Sequence, residues 1–132
     1  MPSQIGSVRY HKSPLQAAQA LRESFAWGQF IRYIELGDDG FASRQVDEYA
    51  NGYLTRYDRK HWDDQFGTLA DFRFGETWRK HWGEPVVISQ NMFQKLWTRA
   101  AISPPFRLRA ASPSQQAPWL MLFEAGRWRG QP

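Results

Sequence analysis

The side chains best placed to do chemistry are His61, Asp63 and Asp64, in the run His61-Trp62-Asp63-Asp64, with His81 twenty residues further on. A divalent ion wants converging nitrogen and oxygen ligands, and His-x-Asp-Asp offers them locally. The same set, centred on His61 and Asp63, would suit a small hydrolase. Spacing this short between loop residues also arises by chance, and His11, His61 and His81 read equally as surface or packing residues. With no cysteine in 132 residues, disulfides, thiolate nucleophiles and cysteine-based zinc or iron–sulfur sites are excluded. The chain also lacks a Gly-x-Ser-x-Gly elbow, a Walker loop and a Gly-x-Gly-x-x-Gly turn. No catalytic residue, cofactor or resident metal is therefore expected.

Charge and aromatics offer a second kind of chemistry, that of binding. The net charge is +4, but it is unevenly spread. Residues 1–78 hold 9 basic and 11 acidic side chains, and residues 79–132 hold 8 and 2. The acidic set Asp38, Asp39, Asp47, Glu48, Asp63, Asp64 and Asp71 falls on turns, strand edges and a loop, where a scaffold presents contacts. Trp62 and Trp78 stand beside charged neighbours, and seven tryptophans are too many for the centre of one small core. Tryptophan dominates binding hot spots. These nine residues are the expected partner-binding set, for a basic protein. The alternative is nucleic-acid binding through the basic half, with Arg99, Arg107, Arg109, Arg127 and Arg129.

Elements must hold these residues in place. Ser13 as cap, Pro14 in the first turn and Gln16 at the capping-box position open a predicted helix. Leu15, Ala18, Leu21, Arg22 and Phe25 continue it at helical spacing to about Ala26, with Gly28 as the stop. Residues 29–36 and 41–49, joined by Gly37-Asp38-Asp39-Gly40, read as a hairpin. Asn51-Gly52 then turns into a third strand over 53–58, with Tyr53, Thr55 and Tyr57 on one face and Leu54, Arg56 and Asp58 on the other. Polar residues interrupt both faces, so one face of this meander is expected to be wet or used for contact. Residues 68–74 suggest a short strand. Ser89 caps a second predicted helix with Met92, Phe93, Leu96, Trp97 and Ala100 as its apolar stripe.

The expected architecture is α+β, an antiparallel meander packed against two amphipathic helices. The run Trp119–Phe123 is a possible C-terminal edge strand. One domain spans 1–132, with a core over about 13–103 and a C-terminal extension over 104–132. At 42% hydrophobic residues, 21 of all residues aromatic, the chain has ample material to bury. No run approaches the ~20 apolar residues of a membrane helix and the N-terminus lacks a signal-peptide run, so a soluble, cytoplasmic protein without membrane contact is expected.

Two stretches resemble an uncharacterised family of short bacterial proteins, a domain of unknown function common near polymorphic-toxin genes. The first runs Tyr33-Ile34-Glu35-Leu36-Gly37-Asp38-Asp39-Gly40-Phe41 through Arg44-Gln45-Val46-Asp47-Glu48-Tyr49 to Asn51-Gly52. It is similar to that family's hairpin with an acidic turn, Arg-x-Val-Glu and a closing Asp/Asn-Gly. The second is Glu84-Pro85, Ile88-Ser89 and Phe93 to Trp97, similar to its Ile-Ser-x-x-x-Phe-x-x-x-Trp helix. The N-terminal helix and the tail after Pro104 depart from the pattern. The resemblance implies no catalytic residues. It implies an immunity role, in which the protein binds a cognate toxin and occludes its active site or substrate access.

Overall fold

The computed structural model describes residues 9–18, 20–71, 73–74 and 83–105. Among these residues five strands form one antiparallel sheet in the order β4-β3-β2-β1-β5. They are β1 (Tyr10–Lys12), β2 (Phe30–Leu36), β3 (Ala42–Tyr49), β4 (Leu54–Asp58) and β5 (Val86–Val87). A 3-10 helix covers Glu23–Trp27 and an α-helix, α1, covers Gln90–Ala100.

The meander β2-β3-β4 follows its turn chemistry. In the first turn Gly37 N–H donates to Phe41 O at 2.8 Å, and Phe41 N–H donates to the Asp39 carboxylate at 3.0 Å. In the second, Gly52 takes φ +92°, a conformation that costs a residue without Cβ nothing, and Asn51 Oδ1 accepts from Tyr53 N–H at 3.0 Å. The faces of β4 alternate as its sequence pattern predicts.

Helix α1 covers one face of the sheet. Ser89 Oγ accepts from Met92 N–H at 3.0 Å, a cap worth about 1 kcal/mol. Its stripe packs Phe93, Leu96 and Ala100 onto Tyr10, Tyr33, Val46, Leu54 and Ile88, with Ile31 and Trp97 at the margin. Full burial of a side chain such as Phe93 contributes roughly 1.5–3 kcal/mol. Arg44 and Arg56 place their guanidinium carbons 4.9 and 4.6 Å from the Trp97 ring centre.

The opposite face is covered by loops. There Ile34, Leu36, Phe41, Ala42 and Tyr57 meet Leu69 and Ala70, with Trp62 and Phe74 packed alongside. Neither face is wet: Gln45, Asp47 and Thr55 are fully buried. Of the polar residues that suggested solvent, Gln45 bonds to the covering loop and Asp47 pairs with Arg32 of β2.

The described residues hold one α-helix where two were expected. Where the N-terminal helix was predicted, the described residues form a single bridge at Gln16 and then the 3-10 helix Glu23–Trp27. Its capping residue is spent elsewhere: Ser13 N–H donates to Arg32 O at 2.8 Å and Ser13 Oγ accepts from Arg32 N–H at 3.0 Å. Gln16 exchanges both backbone bonds with Phe30, at 2.7 and 2.9 Å. Pairing with the open side of β2 satisfies groups that a helix would have satisfied internally. Among the described residues of 68–74 the expected strand reduces to one bridge, Asp63 to Thr68, and the edge strand expected at 119–123 lies outside the described residues. Among the described residues no helix is long and apolar enough to cross a membrane.

Candidate functional site

The loop that follows β4 begins with a turn built by Asp58, whose Oδ1 accepts from the N–H groups of Lys60 and His61 at 2.9 and 2.8 Å. This brings the His61 ring into a parallel stack on Tyr57, with centres 5.8 Å apart. His61 Nε2 then lies 2.9 Å from Asp64 Oδ2. Asp64 is buried and is a hub. Its Oδ1 accepts from Tyr57 Oη at 2.8 Å and from the N–H groups of Phe66 and Gly67 at 2.9 and 3.1 Å. A Cβ on Gly67 would stand 3.0 Å from Tyr57 Oη, a tight contact, so the close approach of this loop to the sheet favours glycine.

A buried ion pair lies on the same face. Arg32 Nε and Nη2 donate to the two Asp47 carboxylate oxygens at 2.9 and 3.1 Å. Gln45, buried beside it, donates to Thr68 O at 2.9 Å and accepts from Ala70 N–H at 2.8 Å, tying the loop to β3. Burial pushes the Asp47 carboxyl up from its ordinary value against the pull of Arg32. Burial also raises the Tyr57 phenol, with the Asp64 charge adding to it.

The 3-10 helix is fastened to this loop. Ser24 Oγ donates to Phe66 O at 2.6 Å, Glu23 N–H donates to Gln65 O at 3.0 Å, and Arg22 reaches Asp64 O at 2.7 Å and Asp63 Oδ1 at 2.9 Å. The result is a closed web from the 3-10 helix through the loop to three strands.

These placements separate the nine residues expected to bind a partner. Asp47 and Asp64 are internal, and Asp39 is buried against Arg59 at 2.9 Å. Asp63 belongs to Arg22, and Glu48 is half-buried and accepts from Tyr33 Oη at 2.8 Å. Trp62 is half-buried against the core. Asp38, paired with Arg9, and Asp71 are exposed. Trp78 lies outside the described residues. The acidic residues thus do not share one exposed face.

The hydrolase arrangement is altered in the same way. His61 pairs with Asp64, not Asp63, and the other oxygen of that carboxylate already accepts three hydrogen bonds within the fold. His81 lies outside the described residues, and among the described residues no three His, Cys, Asp or Glu side chains are grouped to hold a metal ion. Of the arginines proposed for nucleic acid, Arg99 is exposed on α1, where with Asn91, Gln94, Lys95 and Thr98 it lines an open groove of about 360 Å³. Arg107, Arg109, Arg127 and Arg129 lie outside the described residues.

Sequence reasoning missed a different outward feature. Leu15, Leu21, Phe25 and Ile102 are exposed, Leu21 completely. The first three carry the apolar stripe of the predicted helix, so the pattern marked them for burial. Comparison with protein-family models, with curated proteins and with solved structures finds no match.

Proposed function

We propose that this protein is a non-enzymatic binding module of the immunity type, which neutralises a cognate bacterial toxin by direct contact and occlusion. One observation carries the reading. The carboxylates and imidazole that could have done chemistry are engaged within the fold, while large apolar side chains project from a segment that this same web braces. Rigid scaffolds with exposed apolar anchors lose little conformational entropy on association. The resemblance of the hairpin and of α1 to an immunity-like family points the same way.

The test is protection. Expression of the protein encoded beside this chain is expected to arrest growth, co-expression of this chain to restore it, and the two to co-purify as a complex. Absence of both protection and complex would overturn the proposal.

A further inference from the structure

We propose that Asn51 is a site of covalent self-modification: the main-chain nitrogen of Gly52 closes on the Asn51 side-chain amide, ammonia leaves, and aspartate or isoaspartate remains in the turn between β3 and β4. This chemistry is independent of the binding reading above.

The turn presents the two reacting groups together. Asn51 Oδ1 accepts from Tyr53 N–H at 3.0 Å, which closes a hydrogen-bonded ring containing both the Asn51 Cγ and the Gly52 nitrogen. The same bond draws electrons away from Cγ. Gly52 has φ +92° and no side chain to crowd its nitrogen, and even an added Cβ would meet no atom within 4 Å. Both residues are exposed to water. One bond restrains the nitrogen, since Gly52 N–H donates to Tyr49 O at 2.8 Å. It lies at the exposed tip of a hairpin, where local opening costs least.

The chemistry balances with water alone. Hydroxide takes the Gly52 N–H proton, the nitrogen forms a bond to Asn51 Cγ, and the Cγ–Nδ2 bond breaks as ammonia leaves with a proton from water. Water then adds to either carbonyl of the cyclic imide. Opening at Cγ gives aspartate, opening at the Asn51 main-chain carbonyl gives isoaspartate, and nothing is oxidised or reduced.

The turn also selects Asn51. The other asparagine, Asn91, is followed by Met92, whose side chain crowds the nitrogen and whose N–H caps α1 by donating to Ser89 Oγ at 3.0 Å. Asp39-Gly40 repeats the form of the turn, but Asp39 is buried, its Oδ1 is held by Arg59 at 2.9 Å as well as by Phe41 N–H, and a carboxylate is the poorer electrophile. Isoaspartate would carry the main chain through an extra methylene between two anchored groups, Asn51 N–H, which donates to Trp27 O at 3.2 Å, and Gly52 N–H. The hold of the turn on the 3-10 helix loosens as a result.

The experiment incubates the folded full chain in mildly alkaline heavy-oxygen water and maps its tryptic peptides. Aspartate and isoaspartate bearing the heavy oxygen are expected to accumulate in peptide 45–56, which carries Asn51, and not in the peptide that carries Asn91. Gly52→Ala, which the open space around Gly52 accommodates, is expected to lose most of that product. The modified fraction, separable by its added negative charge, is expected to melt below the unmodified chain. Equal product at Asn91, undiminished product in Gly52→Ala, or reaction only after unfolding in urea would overturn the assignment. A modified fraction that melts with the unmodified chain would overturn the loosening of the turn.

Discussion

Arg32 and Asp47 face each other across β2 and β3 in a two-point ion pair at 2.9 and 3.1 Å, with the Asp47 side chain sealed from solvent. The pair sits between the sheet and the loop, next to Gln45, so it sets where the covering loop can rest.

Removing one partner should cost far more than removing both. Asp47→Ala leaves the Arg32 guanidinium uncompensated and is expected to destabilise by about 3–5 kcal/mol in urea unfolding. The double change Arg32→Met with Asp47→Leu should recover much of that loss. A single variant that loses under about 1 kcal/mol would show that the pair is not the constraint described.

Gly67→Ala is a second probe of the same face. The added methyl would lie 3.0 Å from Tyr57 Oη and 3.7 Å from Asp47 Oδ2, and both neighbours are held by hydrogen bonds. Overpacking of this kind is expected to cost roughly 1–3 kcal/mol. Gly52→Ala would meet no atom within 4 Å and is expected to be limited to the cost of its backbone conformation.

Stability should fall on the alkaline side. Burial raises the phenols of Tyr33, Tyr49 and Tyr57 above their ordinary value, helped by the hydrogen bond to Glu48 for Tyr33 and by the charges of Asp47 and Asp64 for the others. Because the folded values exceed the unfolded one, this stability is complete below pH ~10 and is lost as pH rises through the folded values. Phenolate absorbance of the native protein is expected to lag that of the unfolded chain. Coincident titration curves would contradict it.

The acid limb has a different owner. Burial pushes the Glu35 carboxyl up, but hydrogen bonds from Arg44 and Tyr10, with the Arg44 charge, outweigh it and hold it below its ordinary value. Its contribution is present above the unfolded carboxylate value of ~4.3 and is lost as pH falls through the folded value. Glu35→Gln should flatten part of the acid dependence in chemical unfolding, and an unchanged profile would assign that dependence to other carboxylates.

Charge reversals should divide the acidic residues into two classes. Asp38→Lys and Asp71→Lys fall on exposed positions and are expected to shift stability within about 0.5 kcal/mol. Asp64→Lys would place a cation among Tyr57 Oη, His61 and two backbone N–H donors, and is expected to prevent folding at ordinary temperature. Circular dichroism of the purified variants distinguishes the classes, and a well-folded Asp64→Lys would refute the hub assignment.

The meander was legible because its turns announce themselves locally, in Gly37-Asp38-Asp39-Gly40 and Asn51-Gly52, and because Ser89 has no competing use. The N-terminal segment was misread for the opposite reason. Ser13 and Gln16 carry helix-start chemistry, but β2 offers them partners, Arg32 and Phe30, at 19 and 14 positions away, that no local pattern displays. The acidic residues were misjudged similarly. Asp47 and Asp64 look solvent-bound in a string of letters, and only the tertiary approach of Arg32, Gln45 and Tyr57 makes them interior. Exposed Phe25 was hidden by the same helical spacing that predicted its burial.

The position of β1 has a consequence for how the protein assembles. It is three residues long, comes first among the described strands, and yet lies between β2 and β5, pairing His11 with both Ile34 and Val87. The meander can form from contacts between chain neighbours, but β5 has no described strand to pair with until β1 has docked. Ile88, whose N–H donates to Tyr10 O at 2.9 Å, then secures the chain just before α1. Closing that long loop is entropically slow, so the rate-limiting step of folding should be the arrival of the N-terminal strand, with α1 consolidating after it.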